Sequence, residues 1–180
     1  CEKNKHETLL VNAVLARDLA LACQETGKQY VFFSSACIFK SENVDEVKYE
    51  DSEPNPACFY SKSKAIAEEL VREVCPDAII IRPRLPVSEV PHPRNTINKI
   101  LSYKKLHDNK ESITVVEDML PVLYDLIVRR KSGTFNMVNA GVISPAEIAD
   151  YFGSSHEVFS KEDEIKQMKE EGRAVRVTTV

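Results

Sequence analysis

Along the first stretch, HETLLVNAVLARDLALACQETGKQ, apolar residues at Leu9, Leu10, Val14, Leu21 and Ala22 recur among polar ones at helical spacing. This predicts a helix packed on a sheet and stopped at Gly27. The pattern then changes to YVFFSS, a short aromatic and β-branched run that predicts a buried strand ending at Ser34 and Ser35. From Lys40 to Pro56 the chain is acidic and polar with prolines, a surface loop long enough to be functional. YSKSKAIAEELVREV predicts a second helix with Ala65, Ile66, Leu70 and Val74 on its buried side, and AIIIRPR a continuous apolar strand broken by Pro83.

The alternation continues with NTINKILSYKKL as a helix, SITVV as a strand, MLPVLYDLIVRR as a helix ended by Gly133, and TFNMVN as a strand. SPAEIADYF carries its own helix start: Ser144 as N-cap, Pro145 at the first helical position, Glu147 closing a capping box, and Gly153 past the end. SKEDEIKQMKEEG predicts a further charged helix, and RAVRVTTV ends the chain without a turn or cap. Strands alternating with helices predict an α/β fold, a parallel sheet with helices on its faces.

Composition narrows the function classes. The 180 residues are 43% hydrophobic, enough to bury a core, and their formal net charge of -4 leaves no basic field for nucleic acid or an anionic membrane. No apolar run reaches the ~18 residues of a bilayer span, so the cytosol is the expected compartment. Cys1, Cys23, Cys37, Cys58 and Cys75 are odd in number and lack a C-x-x-C spacing, which predicts reduced thiols. The dispersed His6, His92, His107 and His156 predict no metal site.

FYSKSK places Tyr60 and Lys64 four residues apart, so one helix face presents a phenol beside an ammonium. The pair is either an ordinary amphipathic one or chemistry. A phenol titrates near ~10, and an adjacent ammonium favours the phenolate, bringing proton transfer toward working pH.

A strand ending in Ser-Ser, a long loop and Tyr-x-x-x-Lys at a helix start resembles the active-site half of the short-chain dehydrogenase/reductase superfamily, in its extended, nucleotide-sugar-modifying branch. FFSSACIF resembles the branch's catalytic-serine strand and YSKSK its tyrosine-lysine motif; Asn12, IIIRPRLP, PRNTINKI, VVEDMLP and GTFNMVNAGVIS are similar in order and spacing. Within the branch the chain looks most like the plant-type 3,5-epimerase/4-reductases that make nucleotide-activated rhamnose.

The resemblance implies the later half of a Rossmann-like doubly wound parallel sheet with a small C-terminal α/β substrate-binding part. Residues 1–90 would be the catalytic half of the NAD(P)-binding domain, and 91–180 the substrate-binding part interleaved with it. The implied catalytic residues are Ser35, Tyr60 and Lys64, with Cys37 and Lys99 as proton-transfer groups for epimerisation. Tyr60, Lys64 and Pro83 would meet NADP(H) or NAD(H), and Arg94 and Asn95 a nucleotide-diphosphate sugar. Simple reductases of the branch carry an aspartate where Ala36 stands, which favours the epimerase-reductase. Arg82 and Arg84, like Arg94, either reach the diphosphate or pair with carboxylates.

Gly27, Gly133, Gly141, Gly153 and Gly172 form no glycine-rich dinucleotide turn. The expectation is therefore the catalytic half of a longer enzyme, which as a full-length protein could be a homodimer. A simple 4-reductase and a non-catalytic reductase-like subunit are the alternatives.

Overall fold

The structure, a computed structural model, describes residues 1–40, 46–159 and 163. The expected charged helix after Phe159 lies outside them except for Asp163, as do the final stretch and the loop segment 41–45.

The first helix runs as α1 (Lys5–Leu9), a π turn (Leu10–Val14) and α2 (Leu15–Glu25), and Gly27 ends it at φ +64°. That left-handed conformation suits glycine because it has no Cβ. The buried face differs from the expected one. Ala13, Ala16 and Ala20 face the core, whereas Leu10 is 44% and Leu21 40% exposed. The π turn adds a residue to one helical turn and so rotates the face after it. α2 also packs on α3 (Phe59–Val74), and close helix approach selects small side chains. α3 likewise buries Ala67 and Val71 beside the expected Ala65, while Ile66 is 40% exposed.

Three parallel strands form the main sheet in the order β1 (Val31–Phe33), β2 (Ile79–Pro83) and β6 (Gly133–Met137). Side chains alternate across it. Phe32 and Ile80 join Ala16, Ala67 and Val71 on the α2/α3 face, while Ile79 and Ile81 meet Met119 and Leu123 of α5 (Val116–Val128) on the other. Each of these buried isoleucines contributes about 1.5–3 kcal/mol by leaving water. The expected α/β class with helices on both faces of a parallel sheet is thus present.

Two small parallel sheets flank the main one. β3 (Pro86–Val87) pairs with β5 (Thr114–Val115), and β4 (Lys105–His107) with β7 (Glu157–Phe159). The helix expected over 95–106 therefore stops as α4 (Thr96–Ser102), and its last residues become a strand because β7 offers them a distant partner. The strand expected over 112–116 ends at Val115, since Glu117 and Asp118 favour a helix N-terminus at Val116. α6 (Pro145–Tyr151) carries the expected capping box: the Ser144 hydroxyl accepts from the Glu147 amide, and the Glu147 carboxylate accepts from the Ser144 amide. α6 packs with α4 and β4 around Ile100, Leu106 and Ile148.

Candidate active site at the carboxyl ends of the strands

Parallel α/β sheets bind ligands beyond the carboxyl ends of their strands, and the chemistry-bearing residues gather there. The Ser34 amide donates to the Ile81 carbonyl at 2.8 Å, extending the β1–β2 pairing by one rung. Ser35 keeps an extended backbone and caps a 3-10 turn, Ala36–Ile38, by accepting from the Cys37 amide at 3.2 Å. The turn exists because a hydroxyl stands at its start. It sets the Ser35 hydroxyl and the half-buried Cys37 thiol on one bend of chain.

α3 crosses this bend, packing on the same 3-10 turn. Tyr60 stands half-buried in its first turn, one helical turn before Lys64. The Lys64 ammonium donates to the Phe33 carbonyl at 2.8 Å and lies 4.8 Å from the centre of the Phe32 ring. Burial pushes Lys64 below its ordinary value, and the Glu68 carboxylate only partly offsets this. Lys64 is thereby tied to the end of the strand that leads into Ser35.

Asn12 belongs to the same assembly. It lies within the π turn, its amide donates to the Ser63 hydroxyl at 3.0 Å, and Ser63 donates to the Tyr60 carbonyl at 2.7 Å. The first helix thus holds the turn that carries Tyr60. Sequence reading singled out Asn12 but not Ser63, whose only signal is its place inside YSKSK.

The arginines divide by environment. Arg82, 1% exposed, grips both oxygens of Glu68 at 2.9 and 2.7 Å, donates to the Glu50 carbonyl at 3.0 Å and lies over the Phe39 ring. Arg72 adds a 2.6 Å bond to the same carboxylate. Burial pushes Glu68 up, but the hydrogen bonds and charge of Arg82, with the charge of Arg72, hold it below its ordinary range. This cluster is scaffolding behind the site.

Arg84 faces the site itself. Its guanidinium donates to the Cys37 sulfur at 2.9 Å and pairs with Glu111. Its amide donates to the Thr114 hydroxyl at 2.8 Å, and its carbonyl accepts from the Thr114 amide at 2.7 Å. Leu85 follows at φ +38°, a strained conformation for a branched residue. Glu111 carries no sequence signal of its own.

Pro83 ends β2 opposite Met137, half-buried beside Arg84. Arg94 is exposed just before α4. Asn95 is buried: it caps α4 by accepting from the Ile97 amide at 3.2 Å and donates to the Ser88 carbonyl at 2.6 Å, pinning the loop that carries Arg94. Lys99 is exposed on α4. Among the described residues no hydrogen bond or ion pair joins Arg94, Asn95 or Lys99 to Ser35, Cys37 or Lys64. The structure gathers Ser35, Cys37 and Lys64 at one strand end, with Tyr60 on the helix above, and leaves α4 as a separate element.

Comparison with known proteins bears on the family and the fold. The sequence is 33% identical over 159 residues to a bifunctional dTDP-4-dehydrorhamnose 3,5-epimerase/dTDP-4-dehydrorhamnose reductase of Arabidopsis thaliana, a match covering 84% of this chain and 52% of the relative. The fold superposes on the UDP-rhamnose synthase of Acanthamoeba polyphaga mimivirus with a TM-score of 0.79 at 28% identity, covering 87% of this chain and 58% of that one. It also superposes on a dTDP-4-dehydrorhamnose reductase of Bacillus anthracis, solved in complex with NADP, with a TM-score of 0.75 at 23% identity over 88% of this chain and 59% of that one. The chain thus spans 52% of the bifunctional Arabidopsis relative and 24% of each of three trifunctional rhamnose-forming relatives of the same plant, which it matches at 34–35% identity. The profile of the RmlD substrate binding domain matches residues 1–177, and the chain belongs to that family.

Proposed function

We propose that the chain carries the catalytic part of a nucleotide-sugar 3,5-epimerase/4-reductase, which reduces a 4-keto-6-deoxy sugar with NADP(H) or NAD(H) toward nucleotide-rhamnose. The observation that carries this reading is the meeting of Lys64 with the strand that ends in Ser35 and turns into Cys37. The Arabidopsis relative's two activities support it.

Each residue has a task suited to its place. Tyr60 gives a proton to the C4 oxygen as the carbonyl is reduced, and Lys64, one helical turn away, stabilises the phenolate left behind. Ser35 hydrogen-bonds the carbonyl oxygen. Cys37 and Lys99 move protons at the carbons flanking the carbonyl, from opposite faces of the ring. Arg94 meets the diphosphate, and Asn95 shapes its loop.

The nicotinamide end of a dinucleotide fits the residues present. Lys64 would offer a desolvated ammonium to ribose hydroxyls, with Tyr60 one turn before it on the same helix and Pro83 at the end of the neighbouring strand; Phe33, whose carbonyl Lys64 bonds, is exposed. The group supplies the hydride for C4 when bound. Among the described residues no glycine-rich strand-to-helix turn is present to cradle its pyrophosphate.

Residues 1–90 would supply the catalytic half and 91–180 the substrate part, with β6 returning to the main sheet. Among the described residues no helix is long and apolar enough to cross a membrane, and we place the activity in the cytosol.

The test is product identity. The chain, alone and in any longer form that carries it, is incubated with nucleotide-linked 4-keto-6-deoxyglucose and NADPH, and the sugar is read by NMR. A rhamno-configured product supports the proposal; reduction without inversion at C3 and C5 reduces it to a simple 4-reductase, and no reduction overturns it.

A further inference from the structure

We infer that Arg84 is a positioning residue that holds the Cys37 sulfur as a thiolate, making Cys37 the base of the epimerisation. The inference deepens the proposed function and rests on that reading for its chemistry. Its physical part stands on geometry alone.

The guanidinium lies 2.9 Å from the sulfur, and both residues are withdrawn from bulk water, Arg84 fully and Cys37 in part. A guanidinium is always charged and only donates, so at this distance it stabilises the anionic form of the sulfur over the neutral one. The arginine is itself held. Thr114 binds both its amide and its carbonyl, Glu111 takes the other arm of its fork, and the strained turn at Leu85 redirects the chain immediately after it. Across the bend, the Ser35 hydroxyl fixes the Cys37 amide. Two rigid strand ends therefore define the meeting of nitrogen and sulfur. Glu111 tempers the arrangement: its buried carboxylate neutralises part of the charge that Arg84 presents.

The step balances without any added reagent. The thiolate takes a hydrogen alpha to the C4 carbonyl as a proton; the carbon–hydrogen bond breaks and a sulfur–hydrogen bond forms. The electron pair left on carbon is held as an enolate on the carbonyl oxygen. A proton delivered to the opposite face of that carbon completes the inversion, and the thiol returns its proton to solvent.

The experiment follows iodoacetamide alkylation of the chain at about pH 6, where the thiolate fraction limits the rate. Peptide-resolved mass spectrometry reads Cys37 separately, with exposed Cys1 as the internal reference. Arg84→Gln is expected to slow Cys37 at least fivefold relative to Cys1. Arg84→Lys, which restores a cation, is expected to return it to within threefold of the parent. Glu111→Gln acts in the opposite sense and is expected to speed Cys37 at least twofold. Circular dichroism accompanies each variant, and a variant that unfolds is replaced by the Arg84→Met/Glu111→Gln pair, which removes both buried charges together and is expected to slow Cys37 as Arg84→Gln does. A Cys37 rate that ignores Arg84, or falls equally in Arg84→Lys and Glu111→Gln, overturns the inference. No sugar is present in this assay. A coupling seen here together with unaltered proton exchange in Cys37→Ala keeps the Arg84–Cys37 relationship and rejects the epimerase reading instead.

Discussion

The Lys64 ammonium donates a 2.8 Å hydrogen bond to the carbonyl of Phe33, joining the first half of α3 to the strand end that carries Ser35. A lysine kept for stability would stand in water with its charge solvated. Here burial disfavours the charge, and the fold accepts that cost at the carboxyl end of a parallel strand, the side on which such sheets commonly bind ligands.

Lys64→Met tests whether the cost is functional. The folded ammonium titrates below its 10.5 reference value, so the folded chain holds this proton less tightly than the unfolded chain does. Lys64 thus subtracts from stability at neutral pH, a penalty that fades as pH rises through the folded value toward 10.5. Urea denaturation at pH 7 is expected to find Lys64→Met at least as stable as the parent. NADPH titration of a form that binds the cofactor is expected to show at least tenfold weaker binding.

Glu68 makes the opposite prediction for acid. Its carboxyl titrates below the 4.5 reference in the fold, so its contribution is complete above that pH and is lost as pH falls through the folded value. Denaturation midpoints of the parent are expected to drop steeply below about pH 4.5, and those of Glu68→Gln to drop less. At pH 7, Glu68→Gln leaves Arg82 buried without its counter-charge and is expected to cost about 3–5 kcal/mol.

The buried face of the first helix yields a contrast between neighbouring positions. Ala20 is fully buried in the layer shared by α2, α3 and the sheet, so Ala20→Leu is expected to destabilise by about 1–3 kcal/mol through overpacking. Leu10 is largely exposed, and Leu10→Gln is expected to change stability by about 0.5 kcal/mol or less. Thermal melts of the two variants check the assignment of the face.

This contrast shows which features were legible in the chain. The α6 capping box, the glycine stop at Gly27 and the helix start at Tyr60 are local chemistry, written in adjacent residues, and they could be read directly. The alanine face of α2 could not, because the π turn around Asn12 rotates the helix and its packing on α3 favours small side chains over leucines. The β4 strand was hidden because Lys105–His107 becomes extended only through pairing with Glu157–Phe159. At the site, Ser35, Cys37, Tyr60 and Lys64 stood out by spacing and family resemblance. Arg84 was visible, with diphosphate contact and carboxylate pairing both open; its contact with Cys37 was not legible, because the chain brings the two together from 47 residues apart. Glu111, a glutamate in a polar stretch, had nothing to distinguish it until the fold buried it.

The central claim is that one mouth performs two separable chemistries, reduction through Tyr60 and proton exchange through Cys37. The most direct measurement runs a form active on the 4-keto sugar in heavy water, following NADPH oxidation and deuterium entry at C3 and C5 together. Tyr60→Phe is expected to lose at least a hundredfold in NADPH oxidation while deuterium still enters. Cys37→Ala is expected to lose deuterium entry at one or both carbons while any inverted sugar supplied to it is still reduced. Loss of both activities in each variant, or deuterium entry unchanged in Cys37→Ala, would contradict the account.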